Sequence, residues 1–272
     1  MTGDDRAHGD RARGSLAADA LAGRAVVVVG AGMARYRDDD PVGNGKAIAL
    51  TCAAMGAAVA CVDRDPDAAG ETAGEIVESG GRAVAIEADV SDPDDCERLV
   101  AESHERLGHI DGLVLNVGIG AGRGLTGTSV EQWDAVMDVN VRGHFLVARA
   151  AMPVLDDGSA IVFISSLAGY RPGSGLPVYD TSKAALEGLA RFVARDGSRR
   201  GIRANIVAPG LIDTGLGRMA TELRPGRAAT PIPLGRQGTA WEVAQPVAFL
   251  LSDGARYITA QTLLVDGGLS SI

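Results

Sequence analysis

Ala25-Val26-Val27-Val28-Val29-Gly30-Ala31-Gly32, followed after a polar stretch by Gly43-Asn44-Gly45-Lys46-Ala47, decides how this chain folds. An unbroken apolar run ending in glycine reads as a strand covered on both faces, because a half-exposed strand would alternate. Helix formers fill 46–55, and a second apolar run at 58–62 closes on Asp63. Strand, glycine turn, helix, strand and acid make one βαβ unit. The helix of such a unit points free N–H groups and a positive dipole end at the strand terminus, where a pyrophosphate can sit. Gly30, Gly43 and Gly45 are the candidate phosphate turn. Asp63 is placed to accept from ribose hydroxyls and to repel a 2′-phosphate, which favours NAD(H) and puts NADP(H) second. Arg64 beside it is the one residue that could accommodate that phosphate.

The same rhythm continues outward. Strand-like runs are predicted at 83–87, 112–115, 160–164, 202–207 and 262–265, with helices near 67–79, 94–107, 129–152, 178–199 and 240–251. Continuously apolar strands alternating with helices predict an α/β fold of Rossmann type, a single doubly wound parallel sheet of about seven strands flanked by helices. Residues 1–20 read as a disordered tail and 21–272 as one domain. The long non-periodic stretch at about 211–239, rich in Gly, Pro and Thr, reads as a substrate lid. Trp133 and Trp241, at helix starts, read as core anchors.

Composition narrows the function classes. The chain has 272 residues, 46% of them apolar and 22% charged, enough to bury a full core without staples. A formal charge of −9 argues against nucleic acid or an anionic membrane as partner, since both reward lysine and arginine. No run approaches the ~18 to 20 apolar residues of a membrane span, and the polar N-terminus lacks the apolar centre of a secretory signal. A cytoplasmic address follows by default. Cys52, Cys61 and Cys96 show no CxxC spacing, and His8, His104, His109 and His144 do not cluster. No metal site is expected, and Cys52 and Cys61 read as small buried apolar residues.

The sharpest chemistry lies in Tyr179-Asp180-Thr181-Ser182-Lys183. Residues four apart share a helix face. A free phenol, with a pKa near ~10, is a poor base at neutral pH, and an ammonium held nearby lowers that value. Such a phenol can give or take the proton that accompanies hydride transfer. Ser166 lies 13 residues upstream, just past the predicted strand at 160–164, where ligands bind in such sheets. Its hydroxyl could polarise a carbonyl.

These motifs together resemble the short-chain dehydrogenase/reductase family over about residues 24–268. Ser166, Tyr179 and Lys183 resemble its catalytic set, and Asn140 in Asp138-Val139-Asn140-Val141 resembles the Asn that completes a tetrad. Leu115-Asn116-Val117-Gly118, the run from Ile202 to Gly210, Pro233-Leu234-Gly235-Arg236 and Val265-Asp266-Gly267-Gly268 resemble further landmarks. The resemblance implies Tyr179 as general acid/base, Lys183 on the nicotinamide ribose, Ser166 on the substrate oxygen and Asn140 holding a relay water. It places Asp89 and Val90 beside the adenine, Asn116, Gly118 and Pro209 along the cofactor cleft, and Thr214 at the carboxamide. It implies a secondary alcohol or ketone as small-molecule substrate, and a homotetramer or homodimer through the helices near 129–152 and 178–199. Two other uses of these residues stay open: an NAD-assisted epimerisation or dehydration, and a non-catalytic nucleotide-binding protein. Asn116 also reads as a purely structural tie, Thr214 as a helix cap and His144 as a packing or subunit-contact residue. Leu216, Met219, Leu223 and Leu234 in the lid point to a moderately apolar substrate.

One feature departs from the pattern. About nine residues within 33–42 separate the two halves of the glycine turn; without them the spacing from Gly30 to Asp63 returns to near the usual ~20. The insert carries Arg35, Tyr36, Arg37 and three aspartates. A solvated loop, an arginine folded onto a cofactor phosphate, and a contact with the lid or a neighbouring subunit are all compatible with it.

Overall fold

Each predicted strand forms, in one parallel sheet. The structure, a computed structural model, describes residues 19–33, 37, 39–171, 173–227 and 229–271. In chain order the elements are β1 (Ala25–Val29), α1 (Asn44–Ala54), β2 (Ala58–Asp63), α2 (Pro66–Glu78), β3 (Arg82–Glu87), α3 (Pro93–Leu107) and β4 (Gly112–Leu115). Then come α4 (Val130–Met137), α5 (His144–Ala151), β5 (Ala160–Ile164), α6 (Pro177–Gly197), β6 (Arg203–Pro209), β7 (Ile212–Asp213), α7 (Gly215–Leu223), β8 (Gly238–Thr239), α8 (Ala240–Leu251) and β9 (Thr262–Val265). The large sheet runs β3-β2-β1-β4-β5-β6-β9, every pair parallel. Strand order reverses between β1 and β4, which opens a crevice at their C-terminal ends.

The apolar runs are continuous because both faces are covered. Val27 and Val29 join Leu113, Leu115, Phe163 and Leu186 in one core, on the side of α3, α5 and α6. Val26 and Val28 join Val114, Val162, Ile48 and Val247 in the other, under α1 and α8. Successive strand residues therefore serve opposite cores. Phe163 has no exposed surface, and truncating such a side chain costs about 3–5 kcal/mol.

Helix starts follow their caps. Asp65 accepts from the N–H groups of Asp67 and Ala68, with Pro66 as the first helical residue; Asp92 accepts from Asp94 N–H, with Pro93 behind it. Proline loses nothing there, since the first N–H groups have no helical partner. The predicted helix at 129–152 is interrupted by a π turn at Asp138–Gly143, where the backbone passes against Val90. Such turns recur at functional sites. The predicted tail lies outside the described residues as far as 18; Leu21 just beyond it is fully buried.

The stretch at 211–239 leaves the sheet after β6. The two-residue ladder of β7 with β8, Ile212 against Gly238 and Asp213 against Thr239, closes its base. Within it α7 forms, capped by Thr214, whose hydroxyl accepts from Gly217 N–H at 3.1 Å. Trp133 and Trp241 are 37% and 45% exposed. The core-anchor expectation is thus corrected: both indoles lie on the outward sides of α4 and α8, whose inner faces are filled by smaller residues.

Candidate active site

The four residues of the predicted catalytic set meet beyond the C-terminal ends of β4 and β5. β5 delivers Ser165 and Ser166, and the strand end is bolted to α6 twice. Lys183 Nζ donates to the Ile164 carbonyl at 2.9 Å, and Ser165 Oγ donates to the Lys183 carbonyl at 2.8 Å. The Ser166 hydroxyl faces the Tyr179 phenol and favours its deprotonated form. Lys183 Nζ sits 5.9 Å from the centre of the Tyr179 ring. Gly118 faces this cluster, and a Cβ there would lie 2.9 Å from Lys183 Nζ.

Asn140 sits in the π turn, fully buried, and holds the loop after β4. Its Oδ1 accepts from Ile119 N–H at 2.8 Å, while Nδ2 donates to the Ile119 carbonyl and to Ser182 Oγ, both at 2.9 Å. Ser182 Oγ in turn donates to the Tyr179 carbonyl at 2.8 Å. Asn140 therefore ties the β4 loop to the first turns of α6, and its amide is engaged by protein groups.

Burial dominates the electrostatics. It raises the Tyr179 phenol above its ordinary value; the Ser166 hydroxyl, Arg224 and Arg227 pull the other way, and Asp180 adds to the rise. Burial pushes Lys183 down to about 8. The lysine was expected to depress the phenol, yet its hydrogen bond here goes to the Ile164 backbone. His144 is buried, with Nε2 3.2 Å from the Leu115 carbonyl and its ring stacked on Phe163. Burial, helped by the Lys183 charge, holds it neutral, down to about 3. This is the packing role.

The candidate cofactor residues line the crevice at β1 and β4. Gly30 has φ +84°, a left-handed conformation that suits glycine. A Cβ on Gly45 would come 1.7 Å from the Gly30 carbonyl, so only glycine lets α1 start there. A Cβ on Gly43, the helix cap, would meet nothing. Asn116 Nδ2 donates to the Gly30 carbonyl at 2.8 Å, the structural tie between strands. Asp63 Oδ2 accepts from Gly32 N–H at 2.9 Å and Oδ1 from Asp65 N–H at 3.2 Å, so the acid also shapes the turn it serves. Asp89 is exposed, its carboxylate held by Ser91, while Val90 and Pro209 are buried. Asn44 Oδ1, on the first residue of α1, is buried with no partner among the described residues.

The insert does not end in water. Arg37 pairs with Glu222 on α7. Arg218 on α7, paired with Asp213, also donates to the Asp39 carbonyl at 3.3 Å, and a Cβ on Gly215 would lie 2.8 Å from Asp40 Oδ2. The lid-contact reading therefore holds for the described part, and Arg37 is taken by a carboxylate; Arg35 lies outside the described residues. A cavity of about 810 Å³ opens at this junction, lined by Arg37, Arg218, Glu222 and Arg236 among others, and none of the four catalytic candidates lines it.

A family profile described as enoyl-(acyl carrier protein) reductase matches residues 42–270, beginning just after the insert. The chain belongs to the short-chain dehydrogenase/reductase family. It is 36% identical over 235 residues to a 3-oxoacyl-[acyl-carrier-protein] reductase of Synechocystis sp., covering 84% of this chain and 92% of that one. It is 38% identical over 240 residues to a 2-(R)-hydroxypropyl-CoM dehydrogenase of Xanthobacter autotrophicus, covering 85% and 95%. A solved dehydrogenase/reductase from Sinorhizobium meliloti superimposes with a TM-score of 0.85 at 36% identity, covering 94% of this chain and 98% of that one. As a short-chain dehydrogenase/reductase, the protein is an oxidoreductase that works with a nicotinamide cofactor. Among the described residues no helix is long and apolar enough to cross a membrane.

Of the lid residues singled out in the sequence, Leu216, Leu223 and Leu234 are 53%, 67% and 73% exposed and Met219 is half-buried. Arg224 and Arg227, whose charges reach Tyr179, went unmarked. The available signal was an Arg-Pro-Gly-Arg run with no carboxylate beside it.

Proposed function

We infer that this protein is an NAD(H)-dependent oxidoreductase that interconverts a secondary alcohol and a ketone, with Tyr179 as general acid/base. The observation that carries this reading is buried Lys183, 5.9 Å from the centre of the Tyr179 ring and tied to the strand end that delivers Ser166. A dinucleotide suits the residues present. The close approach of Gly45 to Gly30 leaves no side chain between the start of α1 and the end of β1, and the orphaned Asn44 Oδ1 there lacks a donor among the described residues. Gly30 and Gly45 would border the pyrophosphate, Asp63 the adenosine ribose, and Lys183 the nicotinamide ribose. When bound, the nicotinamide supplies or accepts the hydride.

The remaining work belongs to the chain. In the reducing direction Ser166 donates to the carbonyl oxygen and so favours the charge that develops on it. Tyr179 gives its proton to that oxygen as the alkoxide forms, and takes it back in the oxidising direction. A phenol raised by burial holds its proton through neutral pH and suits the acid role. Lys183, brought down to about 8 by burial and still mostly charged at neutral pH, would stabilise the phenolate from 5.9 Å once the proton has gone. Asn140 keeps Ile119 and α6 in register, fixing where the phenol points.

The preference for NAD(H) rests on Asp63, whose carboxylate would meet a 2′-phosphate as a like charge. The exposed Trp133, Phe145 and Phe192 on α4, α5 and α6 support a homodimer or homotetramer through these helices. The deciding test is Tyr179→Phe, which removes only the hydroxyl. Cofactor binding and melting temperature stay near wild type while turnover falls by about 10²–10⁴. Full turnover in this variant removes Tyr179 from the chemistry.

A further inference from the structure

Five arginines stand on or beside the lid, and they divide into two groups. Arg37 pairs with Glu222, Arg218 with Asp213 and Arg236 with Glu242. Arg224 and Arg227 make no ion pair among the described residues. Arg224 follows α7 directly, and its Nη1 donates to the Ser174 carbonyl and, at 3.4 Å, to that of Gly173. Those residues belong to the loop between Ser166 and Tyr179. Arg227 closes the next turn, its Nη1 donating to the Gly217 carbonyl at 2.9 Å and to Thr221 Oγ1 at 2.6 Å. Every one of these acceptors is neutral. Both side chains are partly buried, and the two like charges act on one another and on Tyr179. Holding two guanidinium groups together, half out of water, is unfavourable, and the carboxylate whose charge reaches Arg227, Asp213, is already paired with Arg218. A chain with 35 acidic residues against 26 lysines and arginines had carboxylates to spare for them. An anion that enters with the substrate supplies the missing charge, in the fork geometry that guanidinium offers carboxylate, sulfonate and phosphate alike.

We propose that Arg224 and Arg227 form an anion-recognition pair at the catalytic tyrosine, so that the substrate is an alcohol or ketone carrying a carboxylate, sulfonate or phosphate group. This deepens the alcohol/ketone reading and rests on it. The polar end of the substrate is held by the lid and the carbonyl by Ser166 and Tyr179. Binding energy gathered on the anion thus orients the reacting carbon.

The test uses the full chain with NADH and matched ketones: acetoacetate and its methyl ester, 2-oxopropylphosphonate and its dimethyl ester, and 2-oxopropane-1-sulfonate. Each is measured for turnover and for binding to the enzyme–NADH complex by nicotinamide fluorescence. The expected result is a preference of about tenfold or more for the anions over the neutral esters. Arg224→Gln and Arg227→Gln each erase it through KM, lower turnover of anions and esters alike only through the shared effect on Tyr179, so that the anions lose several-fold more than the esters, and leave the Kd for NADH unchanged. Arg227→Lys restores part of it. Three outcomes overturn the proposal: no preference for anions in either readout, equal losses on anions and esters, or a loss confined to the NADH Kd, which would assign the pair to the cofactor's phosphates. Tyr179→Phe runs alongside. If it keeps turnover while the arginine variants lose anion binding, the catalytic reading has failed and the anion site stands.

Discussion

Under the proposed reading Asp63 has two jobs, and they can be separated. Its carboxylate holds the N–H groups of Gly32 and Asp65, so replacing it by alanine loosens the glycine turn as well as removing the charge. Asp63→Asn keeps an acceptor and removes only the charge. We expect Asp63→Asn to narrow the preference for NADH over NADPH, and Asp63→Ala to weaken both cofactors as well, by about tenfold or more. Titrating both cofactors into each variant checks this; a preference untouched by either change shifts the discrimination to Arg64 or the insert. His144 gives a second residue-scale expectation. Its folded value of about 3 lies below the ordinary 6.5, so the unfolded chain takes the proton first as pH falls. Stability therefore declines from about pH 6.5 toward 3, by up to ~1.4 kcal/mol per unit from this group. His144→Gln, which cannot titrate, flattens that slope. Urea midpoints measured between pH 6.5 and 4 should show it, and an unchanged slope would place the acid sensitivity elsewhere.

At the scale of elements, the insert couples two parts that the proposed reading gives to different ligands. One end belongs to the candidate phosphate turn, and its described residues touch α7 through Arg37–Glu222, Arg218–Asp39 and the packing of Asp40 on Gly215. Exposed pairs of this kind are worth about 0–1 kcal/mol each. Global stability should barely notice their loss, whereas a short helix held by few other contacts should. We expect Glu222→Gln to leave the melting temperature within about 2 °C and to speed amide hydrogen exchange across 215–223. Exchange unchanged there would mean that α7 is held by its Thr214 cap and the β7–β8 ladder alone.

At the scale of the whole molecule, the outer helices of one sheet face carry aromatic surface that a monomer leaves in water. Phe192 on α6 is 67% exposed and Phe145 on α5 is 45% exposed. Light scattering should find a dimer or tetramer at micromolar concentration, and Phe192→Asp should shift it toward the monomer. A wild-type chain that runs as a monomer at every concentration would refute this interface. The thiols are a contrast: Cys52, Cys61 and Cys96 are all buried and unpaired, and burial pushes the first two up to about 12.

The sequence alone determined most of the sheet, because four strands buried on both faces, β1, β2, β4 and β5, have no polar side and so appear as plain apolar runs. It also marked the candidate cluster, since Tyr179 and Lys183 lie one turn apart on a single helix and Ser166 just past a strand end, where local spacing is enough. The β9 strand was equally legible, though its residues are only partly covered. What local pattern could not show were contacts between segments far apart in the chain. The π turn that buries Asn140, the neutral partners of Arg224 and Arg227, the outward turn of Trp133 and Trp241, and the pairing of Arg37 with Glu222 all came from the tertiary structure. A charge or an indole has no periodicity that reveals its partner. Which face it occupies, and what it meets there, is settled only when the helices pack.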